Sequence, residues 1–286
     1  MNTTTTETFP ARRRLGKAMT AIGNEIVKGL RHGWAERTQI VIELPIFVTF
    51  MLLLGFIVGQ GDRIIEGRMT WSMDPSKAAW LFLGFSVYML VYLQIQKMFW
   101  RTLAEIQTGT LEQTYLSPLP SWVATIVGRA LSAIIEAGLV IAVMYTVMDL
   151  VIDLPLTWRL DALIPVAFVL LSGAGFALII AGLTLVFKRI EMFNDLVLLL
   201  LLFVSGVVIA EDGLPEPLAA ISPYVFLTHP VEGVRRIMFE DQSMLLWGTG
   251  GYVWTAVSTV GWLVAGLVIF HACETYAKRA GTLGQY

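Results

Sequence analysis

Six apolar runs dominate the chain, at 40–60, 79–97, 122–150, 162–187, 193–211 and 249–272. A membrane-crossing helix needs about 20 apolar residues, within a range of about 17–25. Each run therefore predicts a spanning helix. In the third, Arg129 and Glu136 interrupt the first half, so 122–130 reads as interfacial or cytoplasmic and 131–150 as the span proper. The fifth is short; its core, LVLLLLLFVSGVVIA, ends at Glu211.

Before these runs the pattern changes. Residues 1–11 are polar and Thr-rich, a stretch expected to be disordered. Over 12–37, Leu15, Met19, Ile22, Ile26, Leu30 and Trp34 recur at spacings of three or four, with Arg12, Arg13, Arg14, Lys17, Lys28 and Arg31 among them. That periodicity predicts an amphipathic helix lying on an anionic membrane surface or packed on another domain. The Arg triplet does not open a signal peptide, because no apolar core follows at the required distance. Residues 38–275 form one six-span unit and 276–286 a cytoplasmic tail.

Composition agrees with this pattern. The chain of 286 residues is 56% hydrophobic and 15% charged, against about 25% charged in soluble domains. A formal net charge of −2 gives no global basic field for nucleic acid. The single cysteine, Cys273, excludes an internal disulfide framework and a Cys-only zinc site within one chain. Placing the termini, the 98–130 and 188–192 connections and Lys97 at the end of the second run on one side gathers 14 of the 20 Lys and Arg there, leaving 6 on the other. The positive-inside rule then makes both termini cytoplasmic.

Enzyme signatures are missing from the sequence. His32, His229 and His271 are far apart, and neither H-E-x-x-H nor G-x-S-x-G occurs. His271 and Cys273 lie close together at the end of the last run, but a metal there needs ligands from elsewhere. Asp149, Asp153 and Asp161 cluster outside without an evident base or metal partner, which leaves a lipid-modifying membrane enzyme as a weak alternative, beside a channel or scaffold. No G-x-x-x-x-G-K-[ST] loop is present, so any ATP must be bound by another chain.

The segment Arg101 to Pro120, RTLAEIQTGTLEQTYLSPLP, is amphipathic. Leu103, Ile106, Leu111, Tyr115 and Leu116 supply an apolar face; Arg101, Glu105, Gln107, Glu112 and Gln113 supply polar edges. Gly109-Thr110 is a helix breaker and Ser117-Pro118-Leu119-Pro120 a terminator. Such a segment either transmits force from a soluble partner or is an interfacial connector. Further on, Pro215, Pro217, Pro223 and Pro230 break up a stretch carrying Leu214, Leu218, Ala219 and Ile221. It is either a membrane-dipping element, whose broken backbone needs protein or a watery cavity around it, or a surface loop.

The run Glu105…Gly109-Thr110-Leu111-Glu112…Leu116-Ser117-Pro118-Leu119 resembles the signature of ABC-2 family permeases of ABC transporters. Leu214-Pro215…Ile221-Ser222-Pro223…Pro230-Val231-Glu232-Gly233-Val234-Arg235 resembles that family's outer re-entrant segment. The resemblance implies an all-α polytopic membrane protein with six transmembrane helices, an N-terminal interfacial helix, a cytoplasmic coupling helix and a re-entrant segment. It implies that Arg101, Glu105, Gly109, Thr110, Leu111, Glu112, Tyr115, Ser117 and Pro118 dock on an ABC ATPase subunit, present in two copies and carrying the ATP and magnesium. It also implies a second permease chain, identical or homologous, in the cell membrane. Sparse intramembrane charge favours a hydrophobic or amphipathic cargo, such as a drug-like compound, lipid or lipid-linked glycan, over a small ion.

Span two carries Phe85, Tyr88 and Tyr92, with Gln96 continuing the face. The stripe either lines a pathway, together with Ser205, or packs helix on helix through a hydrogen bond. Glu43 and Glu136 are costly if deeply buried; Glu136 lies two turns from Arg129, as a partner or a snorkelling group. Gly173, Gly175 and Gly182 suit close helix packing.

Overall fold

The computed structural model describes residues 11–35, 42, 44–55, 74–110, 121–187, 189–210, 213–242 and 248–280. The polar N-terminus, Glu43, residues 56–73, Leu111 to Pro120 and the last six residues lie outside the described residues. Helices are α1 (Ala11–Ala35), α2 (Leu44–Gly55), α3 (Pro75–Gln107), α4 (Ser121–Ile152), α5 (Leu163–Phe187), α6 (Glu191–Val204), α7 (Glu216–Ile221), α8 (Thr228–Met238) and α9 (Gly248–Ala280). No strand occurs among the described residues.

Four helices are long and apolar enough to cross a membrane: Pro75–Gln107, Ile126–Ile152, Leu160–Phe187 and Gly251–Ala280. They account for the second, third, fourth and sixth runs. Within the first run the described helix is the short, apolar Leu44–Gly55. The fifth run departs from expectation. Its helix, α6, has 14 residues, about 21 Å at 1.5 Å per residue, short of a bilayer core of about 30 Å. The chain breaks after Val204 because Gly206 takes φ 73°, a left-handed conformation glycine reaches without penalty.

α3 is longer than its apolar run. Asp74 caps its start, accepting from the Ser76 amide at 2.9 Å, and Pro75 occupies the first turn. Nothing between Lys97 and Gln107 breaks a helix, so Arg101–Gln107 forms the last two turns of α3 and not a separate short helix. The end comes where the sequence places a breaker: Gly109 has φ 68°, and the Thr108 hydroxyl donates back to the Ala104 carbonyl at 2.8 Å.

α3 is the central helix, with its apolar length buried on nearly all sides. α4 runs antiparallel to it, and α6 does the same on another face. α5 lies against α3 through Gln94, whose amide donates to the Leu170 carbonyl at 3.3 Å. α5 and α9 are parallel and almost in backbone contact: a Cβ added at Gly175 would lie 2.5 Å from the Trp262 carbonyl oxygen, and one at Gly182 3.0 Å from the Phe270 Cα. A Cβ at Gly266 would clash with the Gly175 carbonyl. Gly175 and Gly182 thus act as the small-residue seam expected of span four.

α1 packs along α4. The contact is close because Gly29 sits on Ser132 and Arg101, and Gly128 on Glu25 and Ile22. Met19, Leu30 and Trp34 of the apolar stripe remain exposed.

Candidate functional site

Two polar clusters stand at opposite ends of α3. At its C-terminal end, three contacts tie it to α4 in antiparallel register. Lys97 pairs with Glu136 at 3.0 Å. Arg101 donates to the Ser132 hydroxyl at 3.2 Å. Glu105 pairs with Arg129 at 2.5 Å, and Arg129 also donates to the Thr102 hydroxyl at 3.2 Å. Lys28 of α1 reaches the same Glu105 at 3.7 Å and Glu25 at 3.6 Å. Arg129 is 4% exposed, so its charge is held by partners that replace water. One carboxylate, Glu105, therefore joins α1, α3 and α4. Each acid on this interface has a cation from another helix: Arg129 holds Glu105, while Glu136 belongs to Lys97.

The expected coupling residues divide at this cluster. Leu103 and Ile106 are buried against the rest of the chain, at 2% and 3% exposure. Glu105 is engaged internally. Gly109 and Thr110 are exposed past the end of the helix, while Leu111, Glu112, Tyr115, Ser117 and Pro118 lie outside the described residues.

At the other end, Arg235 of α8 is 3% exposed. Its guanidinium donates to three carbonyls: Gly206 at 2.7 Å, Val207 at 2.8 Å and Trp80 at 3.0 Å. It stacks on the Trp80 ring and fills the notch that Gly84 leaves in α3. A broken helix end leaves carbonyls without partners; here Arg235 supplies the donors for the chain just past α6. Around it, α8 forms because its apolar residues Val231, Val234, Ile237 and Met238 face inward while Glu232 and Arg236 pair at 2.8 Å on the outer side. The preceding turn is closed by Thr228, whose hydroxyl donates to the Ser222 carbonyl at 2.7 Å, and by Trp254, which donates to the Pro223 carbonyl at 3.2 Å. Leu214 is buried, Pro215 is exposed and Pro223 is half-buried.

The loop after α4 is fastened to the end of α8. Thr157 donates through its amide and hydroxyl to the Met238 carbonyl at 2.8 and 3.0 Å. Arg159 bridges Asp241 at 3.0 Å and Asp161 at 2.9 Å. The hydrogen bond to Asp241 pushes the Arg159 pKa up; desolvation opposes it, and the bond to Asp161 adds to the rise. Asp149 accepts from the Leu154 amide at 3.2 Å. Asp149 thus serves a turn and Asp161 an ion pair. Among the described residues no group of three or more His, Cys, Asp or Glu is placed to hold a metal; His271 instead lies 3.6 Å from Glu274, which Lys278 holds at 2.7 Å.

The aromatic stripe of α3 is packed between α2 and α6. Phe85, Tyr88 and Tyr92 form a ring ladder at 5.9 and 5.8 Å, flanked by Phe50 on Phe85 and Phe47 on Tyr92, each at 6.0 Å. Tyr88 donates to the Leu198 carbonyl at 3.1 Å. Gln96 meets Asn194 and Asp195 of α6, at 3.2 and 3.4 Å. Ser205 is fully buried and donates to the Leu201 carbonyl. Sequence reasoning singles out neither Trp80 nor Gly84 beside Arg235, nor Asn194 and Asp195 beside Gln96. For Asp195 a signal exists: it is an acid inside an apolar run.

A family model described as ABC-2 type transporter matches residues 26–239, from the second half of α1 to the residue that follows α8. No curated protein matches the sequence significantly.

Proposed function

Because the chain belongs to the ABC-2 type transporter family, we propose that it is the permease subunit of an ATP-driven exporter. ATP and magnesium are bound by two copies of a separate ATPase subunit, and a second permease chain, identical or homologous, completes the path. The chain crosses the cell membrane six times, with α2 and α6 belonging to the two shorter crossings and both termini in the cytoplasm. Its cargo is hydrophobic or amphipathic, in keeping with the apolar spans.

The observation that carries this reading is the family match over more than half of the chain. The geometry supports a division of labour within the coupling segment. Docking needs an outward apolar ridge and charges that fix register. Leu103 and Ile106 face inward, so the ridge falls to Leu111 and Tyr115, with Glu112 as the register charge beyond the Gly109 break. Arg101–Gln107 acts as the rod that carries displacement into α3, and Glu105 passes it to α1 and α4.

The test is co-expression with the ATPase subunit, followed by pull-down and by transport and ATP hydrolysis in reconstituted complexes. Glu112→Arg and Leu111→Asp are expected to weaken assembly and to lower cargo-stimulated hydrolysis. Intact assembly and transport in both variants would remove this segment from coupling.

A further inference from the structure

We propose that α6 is a two-state element. In one state it stops at Val204, and Arg235 of α8 latches the chain beyond it. In the other, with the latch released, it runs on as a continuous helix to Ala210. The inference concerns this chain alone and does not rest on the exporter reading. It starts from a mismatch between sequence and fold. From Glu191 to Ala210 there is no proline, and Gly206 is the one glycine. Glycine weakens a helix without stopping it as proline does. Asn194, Leu198, Leu201, Ser205 and Val208 are all buried and follow one another at spacings of four, three, four and three. Such spacing keeps to one face of a helix, and Val208 continues that face past the break. The local pattern thus fits a helix across Gly206, and the turn there is imposed from outside.

Arg235 imposes it. Its guanidinium donates to the Gly206 and Val207 carbonyls at 2.7 and 2.8 Å, while Gly206 takes φ 73°. In a continuous helix the Gly206 carbonyl accepts instead from the Ala210 amide, four residues on. That carbonyl therefore has two alternative donors, one local and one on α8. The guanidinium has a second hold, on the Trp80 ring and carbonyl, so letting go of α6 does not strip a buried charge of every partner. Ser205 still makes the helical bond, its amide donating to the Leu201 carbonyl at 3.3 Å. The two states part at the next residue, which is the glycine that enters left-handed and helical backbone alike at little cost. Extension takes α6 from about 21 Å to about 30 Å, the thickness of a bilayer core. Release thus converts a short helix into one of full crossing length and withdraws Gly206 and Val207 from the junction of α3 and α8.

The test is double electron–electron resonance on the full-length chain in lipid nanodiscs. Nitroxide labels go on Met192→Cys and Ile209→Cys, both exposed positions, in a Cys273→Ser background. A straight helix separates these two positions by about 26 Å of rise. Gly206→Ala strains the left-handed turn, and Arg235→Gln removes the charged fork. Each is expected to move the main distance peak to that of the straight helix. Gly206→Asn, which tolerates left-handed backbone, is expected to keep the distance of the unaltered chain. Val207 is fully buried at the junction, so the released variants should also melt lower even while straight. If one variant does not yield a monodisperse chain, the other decides. Distances equal to those of the unaltered chain in Gly206→Ala and Arg235→Gln overturn the proposal. So does a broad, featureless distribution in both, since the stretch then has no second fold. The measurement needs no ATPase, so failure of a complex to transport would count against the exporter reading alone.

Discussion

Arg235 and Trp80 are joined twice. The guanidinium carbon lies 3.4 Å from the centre of the Trp80 ring, and its Nε donates to the Trp80 carbonyl at 3.0 Å. The same side chain holds the broken end of α6, so α3, α6 and α8 meet at a single buried cation.

Arg235→Met should therefore leave three carbonyls without donors. An unsatisfied buried polar group costs about 1–3 kcal/mol, and the expected outcome is a large fall in thermal midpoint in detergent or nanodiscs. Arg235→Lys, which keeps the charge but loses the planar fork, should recover only part of it. A midpoint equal to that of the unaltered chain in Arg235→Met would show that this contact is not holding the three helices together.

Glu105 and Arg129 invite a double-mutant cycle. Removing one partner strands a buried charge, and Glu105→Gln is expected to cost about 3 kcal/mol. Arg129→Met should cost less, because Glu105 keeps Lys28 within 3.7 Å. The pair of changes together should be milder than their sum. Strict additivity in denaturation measurements would mean that the two groups do not act as a pair.

Gly266 faces the Gly175 backbone with no room for a methyl group. Gly266→Ala should force α5 and α9 apart, at about 1–3 kcal/mol for overpacking. Gly261, whose added Cβ would meet nothing within 4 Å, is the control: Gly261→Ala should leave stability unchanged or slightly raised, since alanine is the better helix former. Thermal unfolding of the two variants side by side checks the difference.

Topology is open to cysteine labelling. With both termini inside, Ser76→Cys at the start of α3 should react with an impermeant maleimide added to intact cells, and Ser117→Cys should not. Both need the Cys273→Ser background, since Cys273 is the one native thiol. The reverse pattern would invert the chain in the membrane.

The four long helices are legible from apolar run length, and Gly109 is legible as the breaker beyond α3; the extension of α3 past Lys97 to Gln107 is not, because run length marks the apolar part of a helix and not its polar last turns. The seam of Gly175 and Gly182 is legible too, small residues having few other uses at such spacing. The fifth run misleads by its composition. LVLLLLLFVSGVVIA reads as one helix, yet Gly206 turns left-handed and Arg235, 29 residues away, takes over the freed carbonyls. Local pattern carries no information about so distant a donor. The ion pairs show the same limit. Arg129 and Glu136 look like partners along one helix, but each is claimed by α3, through Glu105 and Lys97. The aromatic stripe does form one face, while the helices that cover it, α2 and α6, are not foreseeable from its spacing.

The three rungs between α3 and α4 have a mechanical corollary. Lys97, Arg101 and Glu105 step along α3 four residues at a time, about one helical turn, and each meets its own mate on α4. Sliding α4 by one turn would carry Glu136 off Lys97 and Arg129 off Glu105 together, so translation along the helix axis is blocked as by a toothed rack. Tilting about the rack strains the rungs far less. The α3–α4 pair is therefore built to tilt as one unit, with α1 clamped to it through Lys28, while at the far end of α3 Arg235 ties the helix to α8 and to the chain just past α6.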